Sequence, residues 1–298
     1  MSSVKRAVPE EKNRVEAGTL YLVATPIGNL ADLSERAVKV LGEVDFVAAE
    51  DTRNTIRLLS YLGISKPMVS YFEHNRRERG EIIAGRLAAG ESCALVTDAG
   101  TPAISDPGED LVALCAERGI PVTHIPGPCA AIVALTLSGL PTGRFVFDGF
   151  LPVAKSERRE RLAEIACETR TILLHEAPHK LRATLDDLLA SLGDRSIALC
   201  RELTKRNEEI MRTTLSGAVA YYRENDPRGE YVLVLAGAAE RPVEPDEGAF
   251  WQSLTPAEHV ARYEAQGMDR MEAIKAAAKD RGMRKSALYQ LLLKEKED

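Results

Sequence analysis

The stretch TILLHEAPHKLRATL, residues 171–185, carries His175, Glu176 and His179 in the H-E-x-x-H spacing by which one helix offers two imidazoles to a zinc ion. That geometry needs both histidines one turn apart on a continuous helix, and Pro178 stands between them. Proline removes an interior hydrogen bond and collides with the preceding turn, yet it suits the first position of a helix. Leu181, Leu185, Leu188, Leu189 and Leu192 follow at helical spacing and stop before Gly193, so a helix is expected to begin near Pro178. His175 and Glu176 then belong to a strand end and the turn after it. The zinc reading fails, and a polar cluster remains at the carboxyl end of a strand, where open α/β sheets bind ligands. On local sequence alone a solvated turn is the default account.

Other strand ends carry more. TDAGTPAISDPG, residues 97–108, combines glycine and proline pivots with Asp98, Asp106 and three hydroxyls, far more polar backbone than a connection requires. It is expected to be a binding loop, presenting backbone N–H and C=O groups while Asp98 or Asp106 accepts a hydroxyl or amine. In ATPIGNLAD, residues 24–32, Gly28 and Asn29 allow a sharp turn, and Asp32 or the following Ser34 can cap the next helix. It is neither G-x-G-x-x-G nor a Walker loop, which leaves the common dinucleotide and nucleoside-triphosphate readings without support. In IPGPCAAI, Gly127 permits close approach, and Cys129, Ala130 and Ala131 leave room for a ligand at a helix start. Three charged segments, AAEDTRNT (48–55), FEHNRRER (72–79) and CRELTKRNEE (200–209), end apolar runs. Singly each is a solvated loop; together they line one edge of the sheets.

The elements that position these loops alternate between short apolar runs and amphipathic segments, the pattern of α/β layers. Strands are expected at 19–24, 45–49, 67–72, 92–97, 121–125 and 144–149, with helices at 34–41, 52–62, 76–89, 108–118 and 128–138. Gly42, Gly63, Gly90 and Gly119 are expected to close several of these helices. This first half, 18–148 after a loose tail at 1–17, reads as a mostly parallel sheet. A second α/β domain, 149–240, has strands near 170–174, 196–201, 208–213 and 230–236 and helices near 156–166, 178–191 and 216–224. A Pro- and charge-rich linker, 241–254, leads to an all-helical unit at 255–298. There Thr255 with Glu258, and Asp269 with Glu272, have the spacing of capping boxes. Three short helices fit a helix-turn-helix unit or a small bundle that only packs on the main body or a second subunit.

The chain has 298 residues, 45% of them hydrophobic, long enough for two folded domains. Its net charge of −6 gives no global basic field, so any nucleic-acid contact must come from local patches. Five cysteines, at 93, 115, 129, 167 and 200, include no C-x-x-C pair, which argues against a disulfide framework or a cysteine zinc site and for a reducing cytoplasm. The polar first segment has no signal-peptide core, and the apolar run at 129–140 is too short to span a bilayer, so no membrane is expected.

Taken in order, TPIGN, AAEDTR, DAGTPAISDPG, PGPCAAI, GFLP, HEAPHK, RELTK and GEYVLV resemble the ribosomal RNA methylating members of the tetrapyrrole methylase superfamily over about residues 18–240. The resemblance implies a two-domain α/β fold with S-adenosylmethionine (SAM) in the cleft between domains, and a helix-turn-helix-like C-terminal unit. It implies a homodimer that methylates the ribose 2′-oxygen of a cytidine in the decoding centre of 16S rRNA within the small ribosomal subunit. Around SAM it places Thr25, Pro26, Ile27, Gly28, Asn29, Asp98, Ala99, Gly100, Thr101, Pro102, Ile104, Ser105, Asp106, Cys129, Ala130 and Glu176. Thr213, Leu215, Gly229 and Glu230 complete that set. Related sequences commonly read Y-E-S-P-H-R where this chain has His175, Ala177 and Lys180, so the flanking contacts there differ.

Transfer from a sulfonium to a weakly nucleophilic hydroxyl is served by alignment and by a general base. Glu50, Asp51, His74, Glu176 and Lys205 are candidates, and the sequence does not rank them. Arg53, Arg76, Arg77 and Arg79 are expected to contact RNA phosphates, since guanidinium forks suit that geometry. A small-molecule methylase of the same superfamily, or a ribosome-assembly factor without catalysis, are the alternatives. The charged Arg loops speak against the first and the intact SAM loops against the second.

Overall fold

The computed structural model describes residues 14–239, 251–252 and 254–294. Most of the expected tail (1–17) and linker (241–254) lies outside these residues. The chain forms two compact units, residues 1–238 and 239–298.

In the larger unit the first sheet contains β1 (Leu20–Val23), β2 (Phe46–Ala49), β3 (Met68–Ser70), β4 (Cys93–Val96) and β5 (Val122–Ile125). All neighbours are parallel in the order β3-β2-β4-β1-β5. The strand sequences are apolar at nearly every position because both faces are covered. Leu20, Leu22, Phe46, Ala48, Cys93 and Leu95 pack on one side with Ile83 and Leu87 of α3 (Arg76–Ala88) and with Leu111 and Cys115 of α4 (Glu109–Arg118). The alternate residues Tyr21, Val23, Val47, Ala49, Ala94 and Val96 pack on the other side with Val40 and Leu41 of α1 (Glu35–Glu43) and Leu59 of α2 (Thr52–Tyr61). Ser34 caps α1 by accepting from Ala37 N at 3.1 Å. Gly42, expected as a terminator, lies inside that helix, which Val44 ends.

Adjacent strands β1 and β4 lead in opposite directions, β1 through α1 toward β2 and β4 through α4 toward β5. Their helices lie on opposite faces. This is the switch point at which open α/β sheets form a crevice. The loops that follow these two strands are TPIGN and DAGTPAISDPG.

The second sheet has the order β6-β7-β10-β8-β9, from β6 (Phe145–Phe150), β7 (Thr171–Glu176), β8 (Ser196–Arg201), β9 (Glu209–Thr214) and β10 (Tyr231–Leu235). Only β6 and β7 run parallel. This corrects the expectation that the strand at 144–149 closes the first half: its pairing partner is β7. The helix before it, α5 (Ala130–Ser138), also crosses over. Its sequence AAIVALTLS has no polar face to give to solvent, and Ala131, Ala134 and Leu135 pack on Leu173, Ala198, Cys200, Val232 and Val234 of the second sheet. Arg212 of β9 donates to the carbonyls of Leu137 and Ser138, satisfying the end of α5. The opposite face is covered by α6 (Lys155–Ala166), α7 (Leu181–Leu192) and α8 (Leu215–Glu224).

β7 carries through to Glu176, and Pro178 lies in a turn. α7 begins at Leu181, three residues later than expected. His175 and His179 therefore share no helix. In the smaller unit α9 (Pro256–Ala265), α10 (Arg270–Asp280) and α11 (Lys285–Lys294) enclose Val260, Ile274, Ala277, Leu288 and Leu292. Thr255 and Glu258 form the expected capping box, and Asp269 caps α10 through Met271 N and Glu272 N.

Candidate functional site

At the switch point Thr25 and Gly100 exchange backbone hydrogen bonds of 2.8 and 3.1 Å, joining the two loops by an isolated bridge. Thr25 Oγ1 donates to Thr97 O at 3.2 Å. Thr97 Oγ1 in turn donates to Asp106 Oδ2 at 3.1 Å, closing the long loop across its base. Thr101 Oγ1 donates to Pro128 O at 2.9 Å and ties the loop to the start of α5. From the second sheet the RELTK loop reaches the first: Thr204 Oγ1 accepts from Asn29 N at 3.1 Å. Four non-glycine residues have positive φ among the described residues: Ala103 (66°), Ser105 (64°), Glu202 (51°) and Thr204 (64°). All four lie in these two loops. Such backbone costs stability and persists where the surroundings enforce it, characteristically around ligands.

Between the loops lies a cavity of about 400 Å³, within the ~300–1,000 Å³ typical of small-molecule sites. Ile27, Ala99, Gly100, Thr101, Ile104, Ser105, Asp106, Cys129, Ala130, Glu176 and Glu230 line it, as does Lys205. Other expected residues do not. Thr25 is buried in the bridge, Pro26 and Pro102 do not reach the cavity wall, and Gly28 and Asn29 face the RELTK loop. Asp98 is exposed and accepts from Asn54 Nδ2 at 3.1 Å. Thr213 and Leu215 do not line it either: Thr213 lies on β9, the outermost strand, and Leu215, the first residue of α8, is buried in the core under the second sheet.

Sequence reasoning did not assign Phe150, His175, Cys200, Glu202, Leu203 or Val232 to the wall. Strand alternation could have found three of them. Val232 is in register with both His175 and Cys200, which puts all three on the face that carries α5.

Electrostatics separate the base candidates. Lys205 Nζ lies 3.0 Å from Glu202 Oε1 and 3.0 Å from Glu230 Oε2. Burial pulls its pKa down, but hydrogen bonds with Glu230 and Glu202 outweigh this and push it up, so it stays an ammonium and cannot act as a base. Asp51 is held at about 2 by hydrogen bonds from the Arg53 side chain and backbone. Glu176 accepts from Ala177 N at 2.8 Å through Oε1 and from Thr184 Oγ1 through Oε2, so both oxygens are engaged. His74 stands in an exposed segment edge-on to Phe72, 6.3 Å between ring centroids, and lies outside the cavity wall. Glu50 is raised above the ordinary glutamate value by burial and then by the charges of Asp106 and Asp98. Asp106 is raised mainly by burial, against the opposing Thr97 hydroxyl. Among the described residues no cluster of three or more His, Cys, Asp or Glu side chains could hold a metal ion, and no helix is long and apolar enough to cross a membrane.

Residues 19–219 match the family of Tetrapyrrole (Corrin/Porphyrin) Methylases. The chain belongs to this family. It is 49% identical over 280 residues to "Ribosomal RNA small subunit methyltransferase I" of Halalkalibacterium halodurans, covering 94% of this chain and 96% of that one. The protein of the same name from Synechocystis sp. is 48% identical over 277 residues, with 93% and 98% covered. Among solved structures, uroporphyrin-III C-methyltransferase from Thermus thermophilus complexed with S-adenyl homocysteine shares the fold. Its TM-score is 0.52 at 20% identity, over 73% of this chain and 97% of that one.

This tetrapyrrole methylase is thus a SAM-dependent methyltransferase, and the cavity residues fit that cofactor. Ala99, Gly100 and Ala130 let backbone approach a ligand closely, Ile27 and Leu203 supply apolar wall, and Asp106, Glu202 and Glu230 supply carboxylates for a cationic ligand bearing hydroxyls and an amine. Of the arginines expected at RNA, Arg53 is paired with Asp51 at 2.6 Å and Arg76 with Asp110 at 2.9 Å. Arg77 and Arg79 are exposed on the first turn of α3.

Proposed function

We propose that this chain methylates the ribose 2′-oxygen of a cytidine in the decoding centre of small-subunit ribosomal RNA, acting as a homodimer in the cytoplasm. The observation that carries this is a cavity closed by two strained loops at the switch point, in a chain whose relatives at 49% and 48% identity are named small-subunit ribosomal RNA methyltransferases. Five unbridged cysteines fit a reducing compartment.

When bound, SAM supplies an electrophilic methyl on a sulfonium. The chain's own contribution is alignment and charge. Asn29 N on Thr204 Oγ1 and the Thr25–Gly100 bridge hold three loops in one arrangement, which fixes the direction from which an acceptor can enter. Ile27, Ile104 and Leu203 give the cavity an apolar wall. Lys205, paired with Glu202 and Glu230, contributes a cation to the cavity wall. A ribose hydroxyl must lose its proton as it attacks; of the five candidates Glu176 and Lys205 line the cavity, Glu176 held by Ala177 N and Thr184 Oγ1 and Lys205 by Glu202 and Glu230.

The test is incubation of the purified protein with methyl-labelled SAM and either small ribosomal subunits lacking the modification or a free tetrapyrrole. Label in the ribosomal RNA is expected. Label in the tetrapyrrole alone would transfer the assignment to the small-molecule branch.

A further inference from the structure

The outer wall of the cavity ends in an aromatic ring. Phe150 is the last residue of β6, the edge strand of the second sheet, and lines the cavity while 56% exposed. The pairing of β6 with β7 shifts register between Phe147 and Gly149, where Gly149 has φ 64° and a Cβ would lie 3.4 Å from Ser105 Oγ. Such an irregularity re-aims the side chain that follows, a device common beside active sites. Here it sets Phe150 beside the strained binding loop. The His175 ring meets both Phe147 (centroids 5.1 Å apart, planes at 70°) and Phe150 (5.4 Å, 73°) edge-on, and so holds the Phe150 ring from one side. His175 Nε2 is buried and has no hydrogen-bond partner among the described residues.

We propose that Phe150 is the platform on which the base of the acceptor nucleotide stacks, bringing the ribose of that nucleotide to the donor cavity. This rests on the ribosomal RNA reading above and adds the residue that seats the acceptor. A nucleotide inside folded RNA must leave its own stack to reach an enclosed site, and aromatic side chains replace the stacking it gives up. Phe150 suits the acceptor better than the cofactor. Small-molecule ligands have most of their surface enclosed, whereas this ring is more than half open and stands at the rim.

The test uses the full chain with Phe150 replaced by Ala, Leu, Tyr and Trp, measuring SAM affinity by calorimetry and kcat/KM on small ribosomal subunits. Base stacking of ordinary strength predicts a roughly 10- to 100-fold loss of kcat/KM for Phe150→Ala. SAM affinity should hold, Tyr or Trp should restore activity, and Leu should not. Unchanged kcat/KM in Phe150→Ala overturns the proposal, as does a loss of SAM affinity that matches the loss of activity, or full activity with Leu. A wild-type protein inactive on the subunits defeats the ribosomal reading itself, and this inference with it.

Discussion

Gly28 lies so close to Lys205 that a Cβ at position 28 would fall 2.4 Å from Lys205 Cγ, with Thr204 Oγ1 at 2.9 Å and the Leu203 carbonyl at 3.2 Å. The lysine stem can bend away, but the carbonyl belongs to a loop already strained at Glu202 and Thr204. Gly28→Val is therefore expected to part the loops after β1 and β8 and to weaken SAM binding by ~10-fold, about 1.4 kcal/mol. Titration calorimetry measures the affinity. The thermal melt should fall as well, because Ile27 and Leu203 of these loops belong to the buried cluster around α5.

Asp106 is half-buried, and desolvation followed by the charge of Asp98 raises its carboxyl, so ionising it opposes folding. Its contribution to stability is fully present below the unfolded aspartate value of 3.8 and is lost as pH rises through the higher folded value. Asp106→Asn keeps an acceptor for Thr97 Oγ1 without the charge. The variant is expected to melt higher than wild type at pH 7, with the gain shrinking toward pH 4, and to bind SAM more weakly. Melts across that range, paired with calorimetry, check both halves.

Thr184 Oγ1 donates to the buried Glu176 and accepts from Arg158 Nη2 at 2.8 Å. Thr184→Val leaves one Glu176 oxygen without its partner in a site that is 4% exposed. A loss of about 1–3 kcal/mol is expected, read from the denaturation midpoint at unchanged slope.

Arg77 and Arg79 are exposed on one turn of α3. Replacing each by Glu is expected to weaken association with ribosomal RNA and to reduce its logarithmic salt slope by about 1 for each phosphate no longer neutralised. SAM affinity should not change. An RNA affinity equal to that of wild type at every salt concentration would remove these arginines from the interface.

The central strands β1, β2, β4 and β10 were legible because they are buried throughout and read as apolar runs, and Pro178 marked the break that keeps His175 and His179 off one helix. The membership of 145–150 was not legible, since a strand sequence carries no label for its partner. That partner was set by α5, whose apolar surface covers the second sheet. Asp98 and Asp106 stand eight residues apart in one loop with the same chemistry, yet the first faces out to Asn54 and the second into the cavity. Positive-φ residues at Gly100, Ala103 and Ser105 lie between them, and the types of the last two do not announce such turns. That Thr213 and Leu215 lie outside the cavity wall was hidden for a related reason: position along the chain says nothing of which strand is outermost.

The central claim is that this cavity delivers a methyl group to one ribose of small-subunit ribosomal RNA. Nucleoside mass spectrometry, after reaction of unmodified subunits with methyl-labelled SAM, tests it most directly. Label is expected in a single 2′-O-methylcytidine from the decoding centre. Label on a base, or none in the RNA while SAM is bound, would contradict it.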